Sequence, residues 1–474
     1  MQFNSMVFVA FFLVVLGLHR LPISWRFKKF NLLWLSYLFY AGWHPPFVAL
    51  LWISTIVDWE LGKRLHAAQD PGRRKLLLGL SLTVNLGMLS FFKYSNFLLE
   101  NFVALLSMAG VDWTPAAPDI LLPVGISFYT FQTLSYTLDI HARRMEPAKS
   151  FLDYALFVSF FPQLVAGPIV RAGEFLPQCE HEEKVSARQF GWGLSLIVIG
   201  LFDKVVIADG LLAPTVERVF DTQLAATFAD GWLGSMGFAC QVFCDFAGYS
   251  LCAIGAALCL GFRLPVNFRF PLASASFADF WRRWHISLST WLRDYVYMSL
   301  GGRRVNFARW AFNLLVTWMA TGLWHGAAWR YVLFGINLWL YILIERAIVL
   351  NVKDRPLWHT LPMQFCFACI QFIGFSISMT VFRSPNVERM FELHTRMFTG
   401  SLEGTASLVT GFPLQIVSTM IIGMFLWHWV MRDSSLEQLA ERSPWWLRSL
   451  ALSILLVCIV LMPGGDHAFI YFQF

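Results

Sequence analysis

Apolar segments follow one another along the whole chain, and they constrain its fold more than any other feature. A membrane-spanning helix needs about 20 apolar residues, or fewer where flanking side chains reach the headgroups. Only helices and closed barrels satisfy their backbone groups in hydrocarbon. We therefore predict an all-α, polytopic integral membrane protein with about 11 to 13 transmembrane helices. The candidate spans are 5–18, 30–43, 46–61, 76–92, 121–138, 153–167, 190–208, 232–261, 307–324, 328–348, 361–382, 412–431 and 445–462.

The composition excludes a soluble protein carried by one membrane anchor. Hydrophobic residues make up 57% of the chain and charged residues 14%, whereas a soluble protein has about 25% charged residues. The mean hydropathy is +0.57 over the full length. Nucleic-acid binding would need a basic face on a soluble module. We therefore expect membrane lipid to surround the chain, and no nucleic acid among its partners.

Basic residues gather in three short stretches beside apolar segments, a pattern that marks the cytoplasmic side. Two candidate spans separate the first two clusters, which places both on one side. The weaker segment 97–109 would move the third cluster to the opposite side if it crossed, so we expect it to be interfacial or re-entrant. The clusters are Arg20, Arg26, Lys28 and Lys29, then Lys63, Arg64, Arg73, Arg74 and Lys75, then Arg143, Arg144 and Lys149.

Three further segments do not fit a simple span. Residues 168–189 are polar, and residues 262–276 contain two prolines and two arginines. Irregular backbone at membrane depth persists where protein or a water-filled cavity covers it, so each is either a cavity lining or an ordinary connecting loop. In 277–300, apolar side chains from Phe277 to Tyr295 share one helical face. This favours a helix lying in the membrane interface.

Two histidines in apolar surroundings are the strongest candidates for chemistry. His285 lies in FWRRWHISLSTWLRDY and His325 in ATGLWHGAAW. An ionisable group within a membrane protein suggests function, and histidine is the usual general base near neutral pH. Gly322 and Gly326 either let a substrate approach or pack two helices closely, and Trp324 adds a flat apolar wall.

Other polar residues and motifs give less direction. Asp245 could orient a histidine or an arginine, or cap a broken helix. Asp203 and Lys204 are adjacent and could pair or extend towards the membrane surface. The sequence has no G-x-S-x-G, H-E-x-x-H or G-x-x-x-x-G-K-[ST] motif, so serine hydrolysis, zinc proteolysis and ATP-driven transport lose their usual signatures.

Several long motifs resemble the membrane-bound O-acyltransferase family, and in particular its branch concerned with alginate O-acetylation. The resemblance runs along the whole chain, although Leu251 stands where the family often has Asp. The motifs are LLPVGISFYTFQTLSYTLDI at 121–140, FFPQLVAGPIVR at 160–171, CDFAGYS at 244–250, FWRRWHISLSTWLRDYVYMSLGG at 280–302, TGLWHGAAWRYVLFG at 321–335 and FIYFQF at 469–474.

The resemblance implies one transmembrane domain over 1–474, with a catalytic core at 121–348, C-terminal helices at 361–474 and a central tunnel. It implies that His325 is the central catalytic residue and His285 its companion, without a bound cofactor or metal. The residues expected to line the tunnel or contact substrate are Gly322, Trp324, Gly326, Asp245, Arg293, Asp294 and Arg171.

The resulting hypothesis is an enzyme of the bacterial cytoplasmic membrane. An acyl thioester such as acetyl-CoA would enter from the cytoplasm, and His325 would take the proton of the attacking hydroxyl. His285 would orient the acceptor or stabilise negative charge. The expected partners are a periplasmic SGNH-hydrolase-like acetyltransferase and a polysaccharide synthase complex. The alternatives are a transporter or flippase, for which no internal repeat is found, and a non-catalytic scaffold.

Overall fold

The structure, a computed structural model, describes residues 1–116, 118–165, 167–352, 355–401, 405–462 and 470. All regular secondary structure in these ranges is helical, which confirms the all-α prediction. The helices in the first half are α1 Met6–His19, α2 Trp25–Ala41, α3 Val48–Ala67, α4 Pro71–Leu89, α5 Ser95–Met108, α6 Ile126–His141, α7 Phe151–Ser159, α8 Phe161–Leu164, α9 Ala172–Phe175, α10 Ala187–Leu201 and α11 Ala213–Phe220. Those that follow are α12 Phe228–Cys259, α13 Phe277–Arg283, α14 Ile286–Leu292, α15 Phe307–His325, α16 Trp329–Asn351, α17 Leu361–Arg383, α18 Val387–Thr399, α19 Gly411–Met431, α20 Leu436–Arg442 and α21 Trp445–Leu461.

Five helical stretches among the described residues are long and apolar enough to cross a membrane, and α1 and α21 are shorter apolar helices. At 1.5 Å per residue, the 23 residues of α16 extend about 35 Å, enough for a hydrocarbon layer of about 30 Å. The chain is therefore a polytopic membrane protein. The total of 11 to 13 spans and the central tunnel remain predictions. The five stretches are Pro71–Met108, Phe228–Cys259, Trp329–Asn351, Leu361–Arg383 and Gly411–Met431.

Two segments differ from their predicted form, and a third is continuous with its neighbour. Residues 97–109 fall largely in α5, which a π-helical turn at Ser90–Tyr94 joins to α4 in one helical run; their interfacial or re-entrant placement stays a prediction. The predicted span 153–167 ends early: α7 stops at Ser159, and α8 starts again with Pro162 in its first turn. The prediction of a single helix over 277–300 is wrong, since α13 and α14 are separated by two non-helical residues; the interfacial location of this segment stays a prediction.

The chain forms two compact units. The first comprises residues 1–196 with 253–265, and the second comprises residues 197–252 with 266–474. Helices α10 and α12 contribute residues to both units. His285 and His325 both belong to the second unit. The single domain over 1–474, with its catalytic core at 121–348, stays a prediction.

Part of the predicted basic surface of the first unit is used for internal bonds. Lys28 pairs with Glu182 at 2.7 Å, and Lys29 pairs with Asp153. Arg74 is buried and donates to backbone carbonyls at the ends of α3 and α6, including Leu65 at 2.7 Å and His141 at 2.6 Å. Lysine or arginine near a helix C-terminus satisfies carbonyls that lack a helical partner. These three cations therefore hold the first unit together.

Candidate active site

His325 is placed by the turn between α15 and α16. It is the last residue of α15, and the extended backbone of Gly326 then leads the chain towards α16. The side chain is buried, with 5% of its surface exposed. Its ring packs edge-on against Phe382 at 5.1 Å and Phe334 at 5.9 Å between ring centroids. The imidazole thus lies among aromatic side chains.

Glycines let α15 and α16 pack backbone against backbone at this turn. A Cβ on Gly322 would lie 2.0 Å from the carbonyl oxygen of Tyr331, and one on Gly326 would lie 2.1 Å from the Tyr331 ring. A Cβ on Gly335 would lie 2.4 Å from the carbonyl oxygen of Trp318. Of the two alternatives for Gly322 and Gly326, these contacts support close helix packing. Their role in lining a substrate passage remains a prediction.

His285 occupies the break between α13 and α14 in a left-handed conformation, with φ +41° and ψ 54°. For a residue other than glycine this conformation costs roughly 1–2 kcal/mol. Two backbone hydrogen bonds hold the break, from Arg269 N to Arg283 O and from Ile286 N to Asn267 O, both 2.9 Å. Strained backbone of this kind clusters at functional sites when the surrounding structure enforces it.

Asn267 connects the irregular segment 262–276 to His285. Its side-chain oxygen lies 3.2 Å from His285 Nδ1 and accepts hydrogen bonds from Ser287 N at 3.2 Å and Ser287 Oγ at 2.9 Å. Its amide nitrogen donates to Ser250 Oγ at 3.3 Å. Asn267 is not among the site residues predicted from the sequence. The only available signal was its place in a segment already considered as a cavity lining.

Trp324 brings the two histidines together. Its ring lies 5.4 Å from that of His285 and 5.0 Å from that of His325. Phe246 adds an edge-on contact to His285 at 4.6 Å. Burial lowers the pKa of His285 well below its ordinary value, and a positive charge on His325, when it is protonated, would lower this pKa further. His285 is therefore neutral and keeps one ring nitrogen able to accept a proton.

The sequence of the chain settles which family it belongs to. The profile of the membrane-bound O-acyltransferase family matches residues 77–384, a range that includes Asn267, His285 and His325. The chain belongs to the membrane-bound O-acyltransferase family. It is accordingly a multi-pass membrane enzyme that transfers an acyl group to oxygen.

Curated relatives of this membrane-bound O-acyltransferase cover most of its length. A probable alginate O-acetylase of Azotobacter vinelandii is 37% identical over 403 residues, which cover 84% of this chain and 78% of the relative. A peptidoglycan O-acetyltransferase of Helicobacter pylori is 34% identical, covering 81% of this chain and 77% of the relative. A teichoic acid D-alanyltransferase of Bacillus subtilis is 29% identical, covering 45% and 56%.

Asp245, expected from the sequence to line the site, has ionic and backbone partners within the second unit. It pairs with Lys204, which also bonds Asp209 at 2.9 Å, and all three side chains are buried. Its second oxygen accepts a hydrogen bond from the backbone N–H of Ile470 at 3.0 Å. Ile470 is the one residue of the motif at 469–474 that lies within the described residues. In this acyltransferase, Asp245 therefore helps to fix the π-helical turn Phe202–Leu212.

The remaining predicted site residues lie in different settings. Arg293 and Asp294 form an ion pair at 2.7 Å at the start of the π-helical turn Arg293–Tyr297, and the Arg293 side chain is 60% exposed. Arg171 belongs to the first unit, where it directly precedes α9. Among the described residues, no three His, Cys, Asp or Glu side chains gather in a way that could hold a metal ion. The roles of Arg293, Asp294 and Arg171 towards substrate remain predictions.

Proposed function

We propose that this membrane-bound O-acyltransferase moves an acetyl group from a cytoplasmic thioester across the cytoplasmic membrane for O-acetylation of an exported polysaccharide. The observation that supports this most directly is the pair of buried histidines on the ring of Trp324. Acetyl-CoA is the proposed donor. An alginate-like polymer is the proposed destination of the acetyl group, because relatives along most of the chain include alginate O-acetylases.

The proposed chemistry is a direct acyl transfer. The oxygen of an acceptor hydroxyl forms a bond to the thioester carbonyl carbon, and the carbon–sulfur bond breaks. His325 takes the hydroxyl proton and passes it to the departing thiolate, so the products are an ester and a free thiol. General base catalysis of this kind contributes typically about 10²–10⁴-fold. His285 either orients the acceptor or stabilises developing negative charge, and Trp324 excludes water.

Exposed cations of the first unit are proposed to attract the phosphates of the donor. Arg73, Lys75 and Arg143 are exposed, in contrast to the buried Arg74. A surface of one charge sign raises the local concentration of an oppositely charged substrate. On the outer side, the acetyl group is proposed to pass to a periplasmic SGNH-hydrolase-like acetyltransferase that acts with the polysaccharide synthase complex.

The test is acyl transfer by the purified full-length protein in lipid nanodiscs. Acetyl-CoA labelled in the acetyl group is supplied with a soluble polyol, and both thiol release and labelled ester are measured. We expect wild type to form both products and His325→Ala to form them about 10²–10⁴-fold more slowly. His394→Ala is the matched control, because the His394 ring lies 2.8 Å from a carbonyl of its own helix.

The acyl-transfer assay, a transport assay in vesicles and polymer acetylation in cells together separate the alternatives. Wild-type protein that releases no thiol and forms no ester would contradict the enzymatic proposal. With the protein in sealed vesicles, labelled donor carried across the bilayer without cleavage would favour a transporter. Acetylation of polymer in cells that persists with His325→Ala would favour a scaffold for another enzyme.

A further inference from the structure

We infer that Asn267 is a positioning residue for acyl transfer: it holds His285 in the tautomer with a proton on Nδ1, and so presents Nε2 as a hydrogen-bond acceptor. The inference rests on the proposed function, because it concerns the part that His285 takes in that reaction. It also decides between the two roles that the sequence leaves open for His285.

The first step is the orientation of the Asn267 side-chain amide. The backbone N–H of Ser287 is an obligatory donor, and it points at one end of this amide at 3.2 Å. That end must therefore be the oxygen, Oδ1. The opposite end then faces Ser250 Oγ at 3.3 Å, where the amide nitrogen donates. The backbone thus removes the ambiguity that usually affects asparagine side chains.

The second step is the protonation of His285. Nδ1 lies 3.2 Å from Asn267 Oδ1, and an amide oxygen only accepts hydrogen bonds. Nδ1 must therefore carry the hydrogen. A neutral imidazole has one ring hydrogen, so Nε2 carries the lone pair. In general, the hydrogen bond made by one ring nitrogen sets the state of the other, and here Asn267 makes that bond.

The third step is the consequence for catalysis. A neutral His285 with its lone pair on Nε2 accepts a hydrogen bond from a second hydroxyl of the acceptor, because the attacking hydroxyl gives its one hydrogen to His325. Nε2 has no hydrogen to donate to a developing oxyanion. His285 therefore orients the acceptor. Stabilisation of negative charge must come from other groups. The edge-on contact with Phe246 and the left-handed backbone at His285 fix the plane of the same ring.

Position and burial favour a dedicated role for the Asn267 side chain. It is 1% exposed and lies 18 residues before His285 in the chain. The backbone carbonyl of Asn267 already accepts a hydrogen bond from Ile286 N, so the contact between the two backbone segments does not depend on the Asn267 side chain alone. Replacement of the side chain should therefore disturb the His285 ring more than the fold.

The kinetic test uses Asn267→Ala and Asn267→Asp in the nanodisc assay. We expect Asn267→Ala to lower kcat by about 10- to 10³-fold with little change in KM for the donor, because loss of the correct histidine tautomer can cost up to about 10⁴-fold. Asn267→Asp keeps acceptors for Nδ1–H and Ser287 N–H, so it should restore much of kcat. Its negative charge favours the imidazolium form, so the acid limb of the pH–rate profile should move to higher pH.

A double-mutant cycle separates positioning from structure. In a His285→Gln background, Asn267→Ala should cause no further loss, because its effect passes through His285. Equal fold-losses in both backgrounds would overturn the inference. Ser235→Ala is the matched control, since it removes a buried interhelical hydrogen bond, to Thr380 at 2.6 Å, elsewhere in the same unit. It should lower kcat far less than Asn267→Ala.

A spectroscopic test does not depend on activity. In protein labelled with ¹⁵N-histidine, the His285 signals are those lost in His285→Gln, and their shifts report which ring nitrogen is protonated. We expect Nδ1–H in wild type and in Asn267→Asp, and a mixture in Asn267→Ala. Protonation at Nε2 in wild type would overturn the inference. A wild-type protein that shows Nδ1–H but transfers no acyl group would instead contradict the proposed function.

Discussion

Each unit contains a cluster of buried polar side chains, and the two clusters differ in the backbone that carries them. In the first unit, Asp58 accepts hydrogen bonds from Ser81 at 2.7 Å and Asn85 at 2.8 Å, while Ser54 donates to Asn85 at 2.6 Å. With Thr133 these form the Asp58 cluster. All five side chains are fully buried, and they project from the interiors of α3, α4 and α6.

The histidine cluster of the second unit, defined as Asn267, His285, Trp324 and His325, is carried by helix ends and irregular backbone. His325 ends α15, His285 is left-handed between two short helices, and Asn267 lies in a non-helical segment. A side chain in a helix interior can point only where the helix directs it. A side chain at a break is aimed by tertiary contacts, at a cost in strain.

This difference predicts different consequences of mutation. Donors and acceptors in the Asp58 cluster are matched on regular helices, so we expect the cluster to contribute to stability and to the alignment of helices. The histidine cluster retains strain and buried imidazoles, which we expect to serve reactivity at the expense of stability. Substitutions in the Asp58 cluster should therefore lower the stability of the fold, and substitutions in the histidine cluster should lower the rate of acyl transfer.

The largest expected effect is that of His325→Ala. We expect kcat for acyl transfer to fall by about 10²–10⁴-fold, which corresponds to about 3–5 kcal/mol in the barrier, because the proposed general base is lost. The melting temperature of the protein in nanodiscs should change little. Thiol release measured beside thermal unfolding tests both statements. A large fall in melting temperature with little loss of rate would contradict the proposal that the histidine cluster serves reactivity and not stability.

Asp58→Ala should have the opposite profile. Removing the carboxylate takes one acceptor each from the buried Ser81 hydroxyl and the buried Asn85 amide. The hydroxyl keeps Thr137 Oγ1 at 3.0 Å and the amide keeps the Ser81 carbonyl at 3.0 Å, so we expect a cost of about 1–3 kcal/mol in total. We expect lower thermal stability and less folded protein, while the folded fraction keeps the wild-type kcat. Asp58→Asn is the milder variant, since it retains one acceptor. Loss of kcat in folded, stable Asp58→Asn would show that the cluster takes part in the reaction.

Gly322→Ala tests the packing that places His325. The added methyl would meet the carbonyl oxygen of Tyr331 at 2.0 Å, so α15 and α16 must separate. Overpacking of this kind costs typically about 1–3 kcal/mol, and displacement of His325 should also lower kcat. The control is Gly423→Ala in α19, where a Cβ meets no atom within 4 Å. If Gly322→Ala changed neither the stability nor kcat, α15 and α16 could accommodate the added methyl group.

The elements that follow from local pattern could be predicted from the sequence. Apolar segments predicted where most helices lie, and the apolar surroundings of His285 and His325 indicated that both imidazoles are buried. The break at His285 could not be predicted, because Trp281, Trp284 and Leu288 have the spacing of one continuous helix face. Contacts with Asn267, which is distant in sequence, accompany the strained backbone instead.

The charged and hydrogen-bonded partners of residues far apart in the chain could not be predicted from the sequence either. Asp245 suggested a neighbouring histidine or arginine, but its ionic partner is Lys204, 41 residues away. Lys28 and Arg74 suggested a cytoplasmic basic surface, but one is paired with Glu182 and the other binds helix ends. The charge and the burial of a residue can be predicted from the sequence around it. The partner of a charged residue cannot, because it depends on which helices pack together.

The smallest expected effect is that of Arg293→Gln, which tests a predicted site residue outside the histidine cluster. An exposed ion pair contributes at most about 1 kcal/mol, so loss of the bond to Asp294 should leave stability nearly unchanged. We expect kcat to be unchanged as well, because Arg293 is 60% exposed, in contrast to the buried imidazoles. Steady-state kinetics over a range of acetyl-CoA concentrations measures both parameters. A raised KM at constant kcat would assign Arg293 to donor binding and extend the functional region to the π-helical turn that follows α14.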